Sequence, residues 1–203
     1  MKLYFSPGAC SLAPHIALLE AGLPVELVQV DTKTHTLKKD GSDYYQINPK
    51  GYVPAIRLDS GEVLTENAAL LQFIGDQKPE TAIIPKAGTL DRFRANEWLT
   101  FVSSEIHKTY SPLFNPGLKD EAKTVFKDKL AKRFDALEQH FATHQYLLGG
   151  QFSVADGYLY TVISWSGHVG IDLSKWPNLS AFRQRVADRP KVKQALLAEK
   201  AAA

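Results

Sequence analysis

Cysteine is all but missing: Cys10 stands alone among 203 residues. An internal disulfide is therefore excluded, as is any zinc site needing two cysteines. The fold must rest on packing, which suits a reducing compartment, and any redox chemistry at Cys10 needs a second molecule. Net charge is scarce as well. Lys and Arg number 24 against 22 Asp and Glu, leaving +2, so charge gives no reason to expect nucleic acid or an anionic membrane as partner. No apolar run approaches the ~20 residues of a transmembrane helix. The short apolar run at the N-terminus is broken by Pro7-Gly8 before it can serve as a signal-peptide core, which predicts a mature cytoplasmic protein. Neither a P-loop nor a G-x-G-x-x-G occurs, and Gly167-His168-Val169-Gly170 matches neither.

What is present is ordinary globular material, 44% hydrophobic and 23% charged, long enough to bury a core as one large or two small domains. Lys2–Phe5 reads as a strand stopped by Pro7-Gly8. Ser11–Ala21 reads as a helix ended by Gly22, with Pro14 early enough to lose little hydrogen bonding. Val25–Val30 is a strand, Asp31–Asp43 is loop-like, and Val53–Leu58 and Glu62–Leu64 are strands about the Ser60-Gly61 turn. Glu66–Asp76 is a helix, and Lys78–Gly88 has the composition of a linker. Beyond it only helical periodicity appears. Leu90–Tyr110 places Phe93, Trp98, Phe101, Val102 and Ile106 on one face, and Glu121–His144 is long and amphipathic. A helix opens on the capping box Ser153-Val154-Ala155-Asp156, and Pro177–Asp188 and Lys191–Glu199 follow. The pattern predicts an α/β domain over 1–77, a linker over 78–88 and an all-helical domain over 89–203.

Several residues carry candidate chemistry, each with a plainer alternative. Cys10 lies between a strand end and a helix start, where unpaired amides and the helix dipole favour a thiolate and a lowered pKa; most free cysteines are instead small buried hydrophobes. Val53-Pro54 opens a strand, and a cis bond there would turn the Val53 backbone outward for a peptide-like ligand; by frequency, X–Pro bonds favour trans. Thr65-Glu66-Asn67 precedes a helix and reads either as a cap or as a carboxylate-binding helix start. Ser103-Ser104-Glu105-Ile106-His107-Lys108 is polar for its helix, which reads as a solvated face or a site. His140 and His144 stand four apart, but no metalloprotease glutamate lies between them, so no metal site is expected.

Together these segments resemble the beta-class, bacterial-type glutathione S-transferases. The resemblance is carried by Tyr4-Phe5-Ser6-Pro7-Gly8-Ala9-Cys10-Ser11-Leu12-Ala13-Pro14-His15 and Ile47-Asn48-Pro49-Lys50-Gly51-Tyr52-Val53-Pro54. Leu64-Thr65-Glu66, Ser104–Lys108 followed by Ser111-Pro112-Leu113-Phe114, and Phe152–Asp156 also carry it, with Trp165 and Arg189-Pro190. It runs from residue 1 to about 199.

The resemblance implies a thioredoxin-like N-terminal domain, a helical C-terminal domain and a homodimer, with glutathione as co-substrate and no prosthetic group. It implies that Val53, ahead of a cis-Pro54, pairs with the cysteinyl part of glutathione. Glu66 and Asn67 would hold the γ-glutamyl end, and Cys10 would lie beside the sulfur. Ser104, Glu105, Ile106 and His107 would line the cleft, His107 near the sulfur and Glu105 toward the partner subunit's glutathione. Three positions depart from the family pattern: His35 stands where lysine is common near the glycyl carboxylate, Asn67 where glycine is common, and Thr100 where asparagine is common near the thiol. Tyr110, Trp165 and His168 are candidates for the electrophile wall.

The implied activity is conjugation of glutathione thiolate to hydrophobic electrophilic small molecules, in detoxification, with glutathione-dependent thiol–disulfide exchange at Cys10. Catalysis would fall to Cys10 and to His107, which would supply hydrogen bonding and positive potential. A non-catalytic ligand-binding or interaction protein on the same fold is the rival, and reductive dehalogenation is a third reading.

Overall fold

The computed structural model describes residues 1–202. It begins with β1 (Lys2–Phe5), α1 (Leu12–Glu20), β2 (Glu26–Asp31), β3 (Thr36–Leu37), β4 (Ala55–Arg57), β5 (Val63–Thr65) and α2 (Asn67–Gln77). The strands form one sheet in the order β3-β2-β1-β4-β5. β1 runs parallel to β2 and antiparallel to β4, and β5 closes the far edge antiparallel to β4. The parallel pair requires a crossover, which α1 provides.

Alternation along β1 divides the sheet's two faces. Leu3 and Phe5 join the main core with Ile16, Leu18, Ile56, Leu70 and Ile74, under α1 and α2. Tyr4 faces the other way, into a smaller cluster with Val30, Tyr44, Val53 and Ala55. α1 ends at Gly22, whose φ of +64° suits glycine; Leu23 N–H then donates to Leu18 O at 2.9 Å, closing the helix end. Asp31–Asp43 is not wholly a loop, because β3 pairs Leu37 with Val30 and Thr36 with Asp31.

The remainder is helical: α3 (Leu90–Phe101), a π-helical turn (Val102–His107), α4 (Lys108–Tyr110), α5 (Asp120–Phe141), α6 (Val154–Ile163), α7 (Pro177–Ala187) and α8 (Pro190–Ala202). The segment read from sequence as one helix over Leu90–Tyr110 therefore contains a π turn. Its inward face is Ala95, Leu99, Val102 and Ile106, whereas Phe93, expected on the apolar face, is 63% exposed. α5 buries Leu130, Phe134, Leu137 and Phe141.

α6 is the central helix, buried along its whole length. Its start is locked as the sequence predicts: Asp156 accepts from Ser153 N–H and Leu147 N–H, both at 2.8 Å, and from the Ser153 hydroxyl at 2.7 Å. The two halves are stitched by packing of α1 on α6 and α8 and by buried polar contacts. Arg92 on α3 forks onto Asp76 of α2 and donates to Pro85 O at 2.6 Å. Arg189 pairs bidentately with Glu20 of α1 at 2.7 and 2.9 Å. Among the described residues, no helix is long and apolar enough to cross a membrane.

Candidate active site

A cleft of about 290 Å³ lies where β4, the start of α2, the π turn and α6 meet. Of the site residues expected from sequence, it gathers Cys10, Val53, Pro54, Glu66, Asn67 and His107. The Val53–Pro54 bond is cis, which overturns the frequency argument for trans and matches the resemblance. Val53 stands ahead of the β1–β4 ladder, which begins at Ala55.

Cys10 occupies the turn before α1, and its thiol donates to Val53 O at 3.2 Å. The Asn67 side chain donates to Cys10 O at 3.2 Å, tying the thiol loop to α2. The expectation of a lowered thiol pKa fails. Burial pushes the Cys10 thiol up to about 12, outweighing nearby amide hydrogen bonds, and Glu66 adds to the rise. Removing a thiolate from water costs more here than one helix terminus returns.

Glu66 holds the N-cap position of α2 at φ +71°, ψ 116°, and its side chain does not cap the helix. A non-glycine residue in that region carries strain of about 1–3 kcal/mol, which tends to collect at functional sites. Its carboxylate is turned outward and pairs with Lys50 at 2.8 Å. Lys50 also donates to the Thr65 hydroxyl at 3.2 Å. The cleft therefore presents a carboxylate and an ammonium side by side at a helix N-terminus, groups suited to the two ends of a zwitterionic ligand.

On the opposite wall the π turn places Ser103 and His107 on the cleft, followed by Lys108 and Ser111. His107 Nδ1 lies 2.7 Å from the Tyr158 hydroxyl. Burial first, then Lys108, lowers the His107 pKa to about 4. The imidazole is neutral at physiological pH, so the expected positive potential is absent and only hydrogen bonding remains to it.

The other expected residues do not line the cleft. Thr100 and Ser104 are exposed, and the Ser104 hydroxyl donates to Thr100 O at 2.9 Å. Glu105 is held by Arg133 of the same chain at 2.7 Å and by Lys129 at 3.7 Å, and Ile106 is fully buried. His35 donates from Nδ1 to Gly51 O at 3.1 Å and rests against Tyr45, beside the cleft rather than in it. Tyr110 is a core residue whose hydroxyl meets Ser166, so it forms no electrophile wall. His168 is exposed outside the cleft, while Trp165 sets its edge against His107, ring centroids 5.2 Å apart. Asn48, Lys50 and Tyr52, read only within a motif, and Ser103, read only as part of the polar cluster, also line the cleft, as does Tyr158, which was not singled out from sequence. Tyr158 left a readable signal: a phenol on a helix buried along its whole length must find a polar partner.

His140 and His144 stack on each other, ring centroids 4.4 Å apart, and no cluster of three or more metal-ligating side chains occurs among the described residues.

Two family models match the chain: "Glutathione S-transferase, N-terminal domain" over residues 8–77 and "Glutathione S-transferase, C-terminal domain" over residues 101–190. The chain is 39% identical over 199 residues to glutathione S-transferase GstA of Escherichia coli O157:H7, covering 98% of each sequence. Its structure is similar to that of the bacterial beta-class glutathione S-transferase of Sphingomonas chungbukensis, with a TM-score of 0.94, 49% identity and 98% of each chain covered. It is equally similar to a sphingomonad glutathione S-transferase solved in complex with glutathione, with a TM-score of 0.95, 46% identity, and 98% of this chain and 99% of that one covered.

Proposed function

Because this chain belongs to the glutathione S-transferase family and stands with its bacterial beta class, we propose that it conjugates the thiolate of glutathione to hydrophobic electrophilic small molecules. Glutathione is the co-substrate. The observation that carries the reading is the convergence in one cleft of Cys10, Val53, the strained Glu66 at the start of α2, and His107. The cysteinyl backbone would lie along Val53, the γ-glutamyl end would reach Glu66 and Asn67, and the sulfur would rest between Cys10 and His107. Residues 1–77 would bind glutathione, and the helices after residue 88 would supply the electrophile's side of the cleft.

A free thiol with a pKa near 8.5 is mostly protonated at neutral pH, so the site must favour the anion. A neutral His107 can donate a hydrogen bond to it, and so can the Cys10 S–H by turning away from Val53 O, and bonds to a charged partner are the stronger kind. Thiol–disulfide exchange through Cys10 is a second activity under this reading; it needs a Cys10 thiolate, which burial opposes. We also take the protein to act as a homodimer in the cytoplasm. Leu90 and Phe93, on the outer side of α3, are 71% and 63% exposed and would be covered by a second subunit.

The reading is tested by turnover of a halogenated aromatic with glutathione in wild type and Cys10→Ala. Conjugation is expected in both, with loss of mixed-disulfide reduction in the variant alone. Glutathione binding without turnover of any electrophile would favour a ligand-binding protein instead.

A further inference from the structure

Tyr158 is 1% exposed, yet its hydroxyl reaches the cleft and lies 2.7 Å from His107 Nδ1. It sits on α6, just after the Ser153–Asp156 box that fixes that helix. The imidazole is confined edge-on by Tyr158, centroids 5.8 Å apart, and by Trp165 at 5.2 Å. Trp165 in turn donates its indole N–H to Gly8 O at 2.9 Å. One aromatic cluster therefore holds both His107 and the loop that carries Cys10.

A neutral imidazole has one donor nitrogen and one acceptor, and the partner of one ring nitrogen decides the role of the other. His107 is neutral above about pH 4, and burial pushes the Tyr158 phenol up, so that it keeps its proton. The charged groups acting on the imidazole are Lys108 beside it and Glu66 across the cleft. Cys10, Glu66, Ser103 and Asn67 face Tyr158. Two arrangements fit the 2.7 Å contact. If Nδ1–H donates to the phenol oxygen, Nε2 is a bare acceptor with nothing to offer an anion. If the phenol donates to Nδ1, the ring proton resides on Nε2. A phenol is the stronger hydrogen-bond acid of the two, which favours the second arrangement.

We propose that Tyr158 is a positioning residue: its hydroxyl donates to Nδ1 of His107 and fixes the tautomer whose Nε2–H donates to the glutathione sulfur anion. This role rests on the cleft being the glutathione site. No proton is relayed through the pair; the thiol proton leaves to solvent and the imidazole stays neutral throughout.

The test compares wild type, Tyr158→Phe, His107→Gln and the double variant. The pH dependence of kcat/KM for the electrophile at saturating glutathione and the ultraviolet absorbance of bound thiolate report the ionisation of enzyme-bound glutathione. In Tyr158→Phe the bound thiol should ionise about one pH unit higher, with kcat at neutral pH falling about tenfold and KM for glutathione unchanged. In the His107→Gln background the same change should do nothing further. A Tyr158→Phe profile that superimposes on wild type, or a double variant that falls by the product of the single effects, overturns the proposal. Should Tyr158→Phe fail to fold, nitrogen NMR of His107 in the wild-type glutathione complex decides. The Nε2–H tautomer is expected, and the Nδ1–H tautomer overturns the role. Wild type that binds no glutathione removes the site reading and this role together. Wild-type turnover with an unmoved variant removes this role alone.

Discussion

The Glu199 carboxylate, in the last helix, accepts a hydrogen bond from the Gly8 backbone N–H at 3.0 Å, across 191 residues of chain. Its other oxygen accepts from His15 Nδ1 at 3.2 Å, and both side chains are buried. Gly8 takes φ +71°, open to glycine without strain, and its carbonyl accepts from Trp165. The turn before Cys10 is thus gripped through both backbone polar groups of one residue. Glu199→Ala would strand the buried His15 imidazole and release the Gly8 amide, and should cost about 2 kcal/mol in urea unfolding. Glu199→Gln, which keeps an acceptor, should cost about half of that.

Glu66 presents the opposite case. Its pair with Lys50 is open to solvent, with side-chain exposures of 68% and 53%, and exposed pairs contribute about 0–1 kcal/mol. Glu66→Gln should leave the unfolding midpoint nearly unchanged. Under the proposed function it should raise KM for glutathione by about tenfold or more, since it replaces the charged acceptor for the γ-glutamyl ammonium with a neutral one. Steady-state kinetics beside a denaturation curve separates the two effects.

His107 should make the fold acid-sensitive. It protonates at about 4 in the folded chain against 6.5 unperturbed. Between these values the unfolded chain holds the extra proton, so stability is lost as pH falls from 6.5 toward 4. The loss is up to about 3 kcal/mol. His107→Gln cannot take up that proton, so its stability relative to wild type should rise between pH 7 and pH 4.5. Paired urea titrations at the two pH values check this, and contributions from other groups, such as Asp156, cancel in the difference.

Legibility in the sequence followed the range of the forces involved. Local signals placed β1, α1, α2 and the Ser153–Asp156 box, because strand alternation, helix periodicity and capping act within a few residues. β3 escaped notice because two residues carry no period, and only pairing to the edge of β2 makes Thr36–Leu37 a strand. The π turn escaped because its residues read as helix in any window, yet it helps bring Ser103 and His107 onto one wall. At Cys10 and His107 the residues were legible and their ionisation was not. Helix-terminus electrostatics is visible in sequence, whereas the burial that outweighs it comes from residues far along the chain. Lys50 was read within a motif, and its partnership with Glu66 appears only once β5 and α2 are folded beside it.

Under the proposed function glutathione lies across the starts of α1 and α2 with its sulfur between Cys10 and His107. A crystal structure of the wild-type protein soaked with glutathione tests it most directly. The cysteinyl backbone is expected against Val53, the γ-glutamyl ammonium on Glu66, and the sulfur within hydrogen-bonding reach of both the Cys10 thiol and His107 Nε2. Glutathione bound elsewhere, or absent from the cleft at millimolar soaking concentrations, would contradict it.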